Sequence, residues 1–270
     1  SPLWEFAKPE KFPPLTMQEL REANQAEFRT LAVQRPPDKH VEKLQAELEA
    51  EEPTGRVRGP LKHPASWPVY PTSGTIPICA PEVGDCNEED LAYAWGFSIE
   101  QYSGSNPKSR RGDDWKRSSH NATAFAEKTP THHTVDTHVE HVKAQREAGE
   151  TDIRFWSHDL QSAYRYLALR NPFIALLILV TQCGPLLYQH LVLNFGAKGS
   201  VWAYNRFMDA SMMLLRLMFM ITCGHYVDDL NGEEPGPSAQ SAFDTVAEIS
   251  SFLRWPMKPE KALAPALKQV

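Results

Sequence analysis

Tyr226-Val227-Asp228-Asp229, preceded by Thr222-Cys223-Gly224-His225 and followed by Leu230-Asn231, is the stretch on which the reading of this chain turns. Thr222 to Val227 reads as a short strand, and the two aspartates read as the turn that follows it. Neighbouring carboxylates repel, and the cost is relieved when cations neutralise them; all-oxygen donors favour magnesium or manganese. A third acid, Asp159, stands at the carboxyl end of another expected strand, Ile153 to His158. If the two strand ends lie side by side, the three acids converge. Such a set suits two-metal phosphoryl transfer, in which a protein supplies position and charge. An Asp-Asp pair by itself is more often a solvated turn, so the surrounding sequence has to decide.

Working outward, the strand that ends at Asp159 reads as followed by a helix through Leu169. Phe173 to Val180 is a continuous apolar run of strand length, and Leu186 to Leu193 reads as a further strand. Lys198 to Met220 is long, apolar and Met-rich and reads as a buried helix, and Ser238 to Leu253 is helical by its period. Towards the amino end, Met17 to Leu31 and Val41 to Leu48 carry apolar positions three and four apart, as amphipathic helices do, with Pro-Pro pairs at 13–14 and 36–37 as punctuation. The stretch from Glu51 to about Glu150 is polar and rich in Pro, Gly, Ser, Thr and His, and predicts short strands and long loops. Strands interleaved with helices give an α+β class, one sheet backed by helices.

The 270 residues allow one large domain or two modest ones. With 41% hydrophobic and 23% charged residues the composition is that of an ordinary globular protein, and a formal charge of −6 argues mildly against a phosphate-bearing partner. Four scattered cysteines, Cys79, Cys86, Cys183 and Cys223, form no CxxC pair and read as free thiols of a reducing compartment. No basic-then-apolar leader opens the chain, and the apolar runs at 174–180 and 212–221 are shorter than the ~20 residues a bilayer needs, so no membrane partner is expected. Ser1 and the abrupt end at Val270 suggest a piece of something longer.

Several stretches together resemble the reverse transcriptases of retrotransposon-like elements. Asp159-Leu160-Gln161-Ser162-Ala163-Tyr164 is similar to the first palm motif, D-x-x-x-A-[FY]. Phe195-Gly196-Ala197-Lys198-Gly199-Ser200, ending with Tyr204-Asn205-Arg206, resembles the second. Tyr226 to Asp229 matches the third, and Phe252-Leu253-Arg254-Trp255 with Lys258 and Lys261 is similar to the fourth. They follow in the family's order and at family-like spacing. Upstream, Arg110-Arg111-Gly112-Asp113-Asp114-Trp115 with Ser118-Ser119-His120-Asn121 resembles a fingers segment, R-x-x-D-D-[FWY]-x-x-S-x-x-N, and Gly55 to Pro60 is similar to the start of the fingers. Two departures stand out: Asn194 where Pro is common, which predicts a looser glycine turn, and Gly112 where an apolar strand residue is more usual.

The resemblance implies a right-hand polymerase architecture: a palm of antiparallel sheet backed by helices, fingers before it, and a thumb absent or truncated. Its expected division is an N-terminal helical extension over 1–50, fingers over 51–150 and palm over 151–270. It implies an RNA-directed DNA polymerase that adds dNTPs to the primer 3′ end on an RNA or DNA template. Asp159, Asp228 and Asp229 become the catalytic acids, and with Leu160 they are the positions that hold two Mg2+ ions, or Mn2+. Lys261, or Lys258, becomes the candidate general acid to pyrophosphate. Lys108, Arg110 and Arg111 would grip the triphosphate, a task that Arg forks suit. Phe195, Gly196, Lys198 and Gly199 would shape the nucleotide floor. Tyr164 would occupy the space of a ribose 2′-hydroxyl, and Tyr226 and Val227 would touch the primer end. A downstream thumb or RNase H region, or a partner chain, would complete the enzyme, and its place would be inside the cell, cytoplasmic or nuclear. The rivals are a catalytically inactive or domesticated copy kept for binding or scaffolding, and a viral RNA-dependent RNA polymerase, whose third motif is usually G-D-D.

Among weaker features, His138 and His141 could share one helical turn and bind zinc beside Asp136 and Glu140, but with no cysteine nearby His132, His133, His138 and His141 read as a solvated connector. The methionines at 208, 212, 213, 218 and 220 read as plastic core, and Trp95, Trp115, Trp156 and Trp202 as packed rings.

Overall fold

In a computed structural model, which describes residues 13–31, 35–64, 82–84, 87–103, 106–125 and 132–267, the chain alternates helices and strands. In order these are α1 (Met17–Leu31), α2 (Val41–Glu51), β1 (Val57–Leu61), β2 (Tyr93–Ser103), β3 (Asn106–Asp113), α3 (His120–Thr123), α4 (Val135–Glu147), β4 (Ile153–Asp159), β5 (Leu176–Thr181), β6 (Gly184–His190), α5 (Lys198–Phe219), β7 (Cys223–Tyr226), β8 (Asp229–Pro235), α6 (Gly236–Phe252) and β9 (Leu263–Ala266). The class is α+β, with two sheets built mainly from antiparallel pairs. Among the described residues no helix is long and apolar enough to cross a membrane. Cys183 and Cys223 carry free thiols, while Cys79 and Cys86 lie outside the described residues.

The chain parts into two compact units, Ser1–Glu127 with Leu167–Ser200, and Lys128–Tyr166 with Val201–Val270. The expected sequential blocks with boundaries at 50 and 150 do not follow this division. The reason is strand pairing. β5 pairs in parallel with β2 and antiparallel with β6, which in turn pairs with β1, so Leu176–His190 completes the sheet of the first unit in the order β1-β6-β5-β2-β3. Nor are the first helices a separate extension, because each covers one face of that sheet.

The alternation of side chains across a strand explains this packing. Tyr93 and Trp95 of β2, Leu176 and Ile178 of β5 and Leu187 of β6 join Phe28 of α1 in one core. Ala94, Leu177, Leu179, Leu186 and Tyr188, from the intervening positions, join Leu44 and Leu48 of α2 in the other. A strand buried on both faces has no polar alternation, which is why 176–180 is apolar throughout. The Asn24 side chain of α1 fixes the arrangement by bonding both the amide and the carbonyl of Tyr93, each at 2.7 Å.

The second unit is a four-stranded antiparallel sheet in the order β7-β8-β4-β9. Trp156 and His158 of β4 face α6, where the His158 ring stacks on Phe243 at 4.1 Å, and Ala239, Ala242 and Val246 are buried beneath. The expectation that α5 is buried throughout holds only in part. Met208 and Met212 are in the core, but Met213, Leu217, Met218 and, just past the helix, Met220 are between 57% and 85% exposed.

The expected helix from Asp159 to Leu169 is replaced by a turn and one short 3-10 segment, Ala163–Tyr166. Its first amides are committed elsewhere: Leu160 N–H donates to the Asp228 carbonyl at 3.0 Å, and Gln161 N–H to Pro256 at 2.8 Å. A helix would need those residues in helical dihedrals, whereas Ser162 and Ala163 sit at φ 63° and 43°. Tertiary pairing overrides local propensity here.

Candidate active site

β7 and β8 form a hairpin whose last paired residues are Tyr226 and Asp229, leaving Val227 and Asp228 as a two-residue loop. Such loops favour turns with positive φ, and Val227 adopts φ 55°. For a β-branched residue this conformation costs of order 1–3 kcal/mol, a strain that proteins store at functional turns. On the other side of β8, Asp229 pairs directly with Asp159 at the end of β4. Residues directly opposite in an antiparallel pair share a face, with Cβ atoms about 5 Å apart. The expected convergence of strand end and hairpin tip is therefore present, and Leu160 N–H to Asp228 O locks it.

The electrostatics of the three acids differ. Burial raises the Asp229 carboxyl, and the charges of Asp228 and Asp159 raise it further, so the net direction is above the ordinary aspartate value. Burial would raise Asp159 too, but hydrogen bonds from Lys258 and Lys261 outweigh it and hold that carboxyl below its ordinary value. Lys261 Nζ donates to Asp159 Oδ2 at 2.7 Å and Lys258 Nζ to Oδ1. The first of these bonds keeps the Lys261 ammonium above its ordinary pKa. Asp159, Asp228 and Asp229 do not form a group whose ligand oxygens all lie within 4.8 Å of one another; among the described residues only His138, His141 and Glu233 do.

Around the acids, Tyr164 is buried and its ring meets Tyr204 edge-on at 5.7 Å. Tyr204, whose place in the sequence only marked the end of a motif, turns out to belong to the site. Burial chiefly, then Asp228, Asp159 and Asp229, push its hydroxyl pKa up, and the hydroxyl makes no hydrogen bond among the described residues. Leu160 has a buried side chain, so only its main-chain carbonyl could face an ion. Tyr226 is exposed at the hairpin tip, its ring 5.0 Å from that of His132.

No family model matches the chain, and no curated protein matches its sequence.

The remaining expected residues, Lys108, Arg110, Arg111, Phe195, Gly196, Lys198 and Gly199, belong to the first unit. The side chain of Lys108, on β3, lies outside the described residues. Arg110 and Arg111, adjacent on β3, point to opposite faces. Arg110 is exposed, whereas the Arg111 side chain is 8% exposed and held by Glu51 and Asp113, each at 3.2 Å. Asp113 in turn meets His190 at 3.2 Å. Arg111 thus ties β3 to the end of α2, and Arg110 is the arginine of the pair that solvent reaches. Gly112 is small because the Phe97 and Ile99 side chains of β2 fill the space a Cβ would need.

The glycine turn is firmer than expected. Asn194 N–H donates to Ser200 Oγ at 3.0 Å, a bond that proline could not make. Asn121, the last residue of the upstream motif, donates to Gly196 O at 3.0 Å and accepts from Lys198 N–H at 2.7 Å. Gly196 itself has φ 80°, and a Cβ there would stand 3.1 Å from the Asp113 carbonyl. Phe195 and Lys198 flank this turn and are exposed.

The histidine segment is not a solvated connector. Helix α4 carries His138 and His141 onto Glu233 of β8, whose side chain is 2% exposed. Spacing alone suggested the histidine pair, but its acidic partner lies more than ninety residues away in sequence.

Proposed function

We propose that the chain is the palm-and-fingers part of a reverse transcriptase, adding dNTPs to a primer 3′ end on an RNA or DNA template. What carries the reading is the cross-strand pairing of Asp159 with Asp229, with Asp228 in the two-residue loop beside them, in residues that resemble the family's motifs. The donor set fits hard cations: three carboxylates at the ends of neighbouring strands, one of them raised in pKa by burial and then by its neighbours. Asp159, Asp228 and Asp229 would hold the two magnesium ions, whose chemistry when bound is to acidify the primer hydroxyl and neutralise charge on the triphosphate.

The chain's own residues do the rest. Val227 and Tyr226 present the hairpin tip to the primer end. Tyr164, braced by Tyr204, excludes the 2′-hydroxyl, and the crowding penalty of about 1–3 kcal/mol for such overpacking is enough to favour deoxynucleotides. Lys261, kept protonated by Asp159, is placed to give a proton to the pyrophosphate oxygen once it leaves that carboxylate. Arg110, exposed on β3, is the arginine offered to phosphate.

The test is primer extension on an oligo(dT)-primed poly(rA) template with Mg2+, comparing the chain with Asp228→Asn. Extension that disappears in the variant supports the reading. Equal extension by the parent chain and the Asp228→Asn variant refutes it. The rival reading, a silent copy kept as a scaffold, draws on the two lysines that hold Asp159; it predicts no extension by either protein.

The lysines also give a pH prediction. Asp159 has a lowered pKa in the fold, so the stability it contributes is present above its unfolded pKa and is lost as pH falls through the folded one. Lys258→Met removes one of the hydrogen bonds that lower it, so the carboxyl titrates higher. The acid limb of kcat/KM for extension is then expected to shift to higher pH, with the alkaline limb unmoved. A pH–rate profile of the two proteins checks this.

A further inference from the structure

We propose that His138, His141 and Glu233 form a binding site for one zinc-class divalent ion, which fastens α4 to β8 independently of the three aspartates. The two histidines are three apart on α4 and so share a face. The start of that helix is set by Thr137 Oγ1, which accepts from the Thr134 amide at 3.3 Å. Both Nδ1 atoms converge on one carboxylate: His141 stands 3.1 Å from Glu233 Oε2, and His138 is on Oε1. The three ligand atoms all lie within 4.8 Å of one another. Gln145, one turn further along α4, bonds the main-chain carbonyl of Glu233 at 2.9 Å, so helix and strand are already held at this distance. Gly224 supplies the room, since a Cβ there would come within 3.3 Å of both His133 and His138.

The chemistry favours a transition ion. A carboxylate with 2% side-chain exposure needs a positive partner, and an ion bound by two imidazoles and one carboxylate supplies it while giving each Nδ1 a lone-pair acceptor. Two nitrogens and an oxygen are the donors of three-ligand zinc sites, whereas magnesium prefers oxygen alone. Bonds of about 2.0–2.2 Å at tetrahedral angles set ligand atoms roughly 3–3.5 Å apart, so the ion takes the place of the proton between His138 Nδ1 and Glu233 Oε1, and those two atoms part slightly to admit it. His138 and Glu233 also line a cavity of about 910 Å³ together with His133, Trp156 and Tyr226, which has room for the water molecule that would complete the tetrahedron. Glu233 shares a sheet face with Asp229 but lies four residues further along β8, about 13 Å away at the rise of a strand. The two groups of ligands are therefore separate.

The experiment uses the full chain, stripped with chelator and titrated with Co2+, whose visible ligand-field bands report nitrogen and oxygen ligation, followed by displacement with Zn2+. One equivalent is expected, with the bands abolished by Zn2+. At a hundredfold excess over Kd, Zn2+ is expected to raise the unfolding midpoint by about 5–10 °C. His141→Gln and Glu233→Gln are each expected to weaken Co2+ binding at least about hundredfold, while Asp228→Asn leaves it unchanged. Absence of a ligand-field band in the unaltered chain at stoichiometric Co2+ overturns the proposal without reference to any variant. So does a band that survives both cluster substitutions, or one that is lost in Asp228→Asn. Because none of these readouts is extension activity, the site stands or falls apart from the polymerase reading.

Discussion

Asp229→Asn is expected to abolish primer extension, by at least about 10³-fold, and at the same time to make the chain slightly more stable in the absence of divalent cations. The two effects have one cause. Metal-ion stabilisation of a phosphoryl transition state amounts to several kcal/mol, and each 1.4 kcal/mol is about tenfold in rate. Asp229 has a raised pKa because burial and two neighbouring carboxylates disfavour its charge. A carboxyl whose folded pKa lies above its unfolded value lowers stability as pH rises through that range, so at neutral pH the ionised group is a liability. Asparagine removes the charge and keeps the shape. Since Asp229 is exposed, the gain in unfolding free energy is expected to be within about 0.5 kcal/mol. Denaturant unfolding with and without Mg2+ checks it. Mg2+ should stabilise the parent chain more than the variant, reversing their order. A variant less stable than the parent without the cation would mean that the acids are not in electrostatic conflict.

Arg111→Met is expected to destabilise the first unit by about 3–5 kcal/mol, whereas Arg110→Met, one residue away, changes stability by no more than about 0.5 kcal/mol. The Arg111 guanidinium is buried between Glu51 and Asp113, with Asp113 itself held against His190. Removing it takes the shared cation away from two carboxylates, of which Asp113 is almost fully buried, and deleting one partner of a buried ion pair is among the costliest changes a fold can undergo. At about 2–4 °C per kcal/mol for a body of this size, the melting midpoint should drop by roughly 6–20 °C. The activities should divide the other way. Arg110→Met should raise KM for dNTP in a chain that still folds, because Arg110 is the exposed member of the pair. Thermal unfolding and dNTP titrations of both variants separate the roles.

That pair also shows where sequence reading stops. The resemblance offers Arg110 to phosphate first and Arg111 as its alternative, and a strand puts such neighbours on opposite faces with nothing local to say which face is buried. What decides it is Glu51, sixty residues upstream. The Asp228–Asp229 turn, the strand ending at Asp159 and the apolar run through Leu176 to Val180 were legible because each is written in contiguous residues: a charge conflict at a turn, and a strand with no polar face. The parallel pairing of β5 with β2 was not, because it joins Tyr93 to Leu176 across a stretch with no local mark of it. The supposed helix after Asp159 failed for the same reason. Leu160 and Gln161 open a stretch whose sequence favours a helix, but their amides bond Asp228 and Pro256. The spacing of His138 and His141 marks a pair, but with no cysteine nearby nothing local marks its partner, which is a glutamate on a strand more than ninety residues away.

The interleaving of the two units bears on how the chain is made. β4 emerges from the ribosome with its apolar face complete, but β8, its main partner, follows about 70 residues later, roughly 4–14 s at 5–20 residues per second. During that interval the first unit can close, because β5 and β6 find β1 and β2 already synthesised. Strand β4 meanwhile waits with both edges unpaired, and an open strand edge is a template for pairing with another chain. β9, which covers its other edge, comes last of all. A nascent chain stopped short of residue 263 would therefore hold every expected catalytic residue and still present a bare strand edge to its neighbours, so expression at low temperature or with chaperones should benefit this chain more than its modest size suggests.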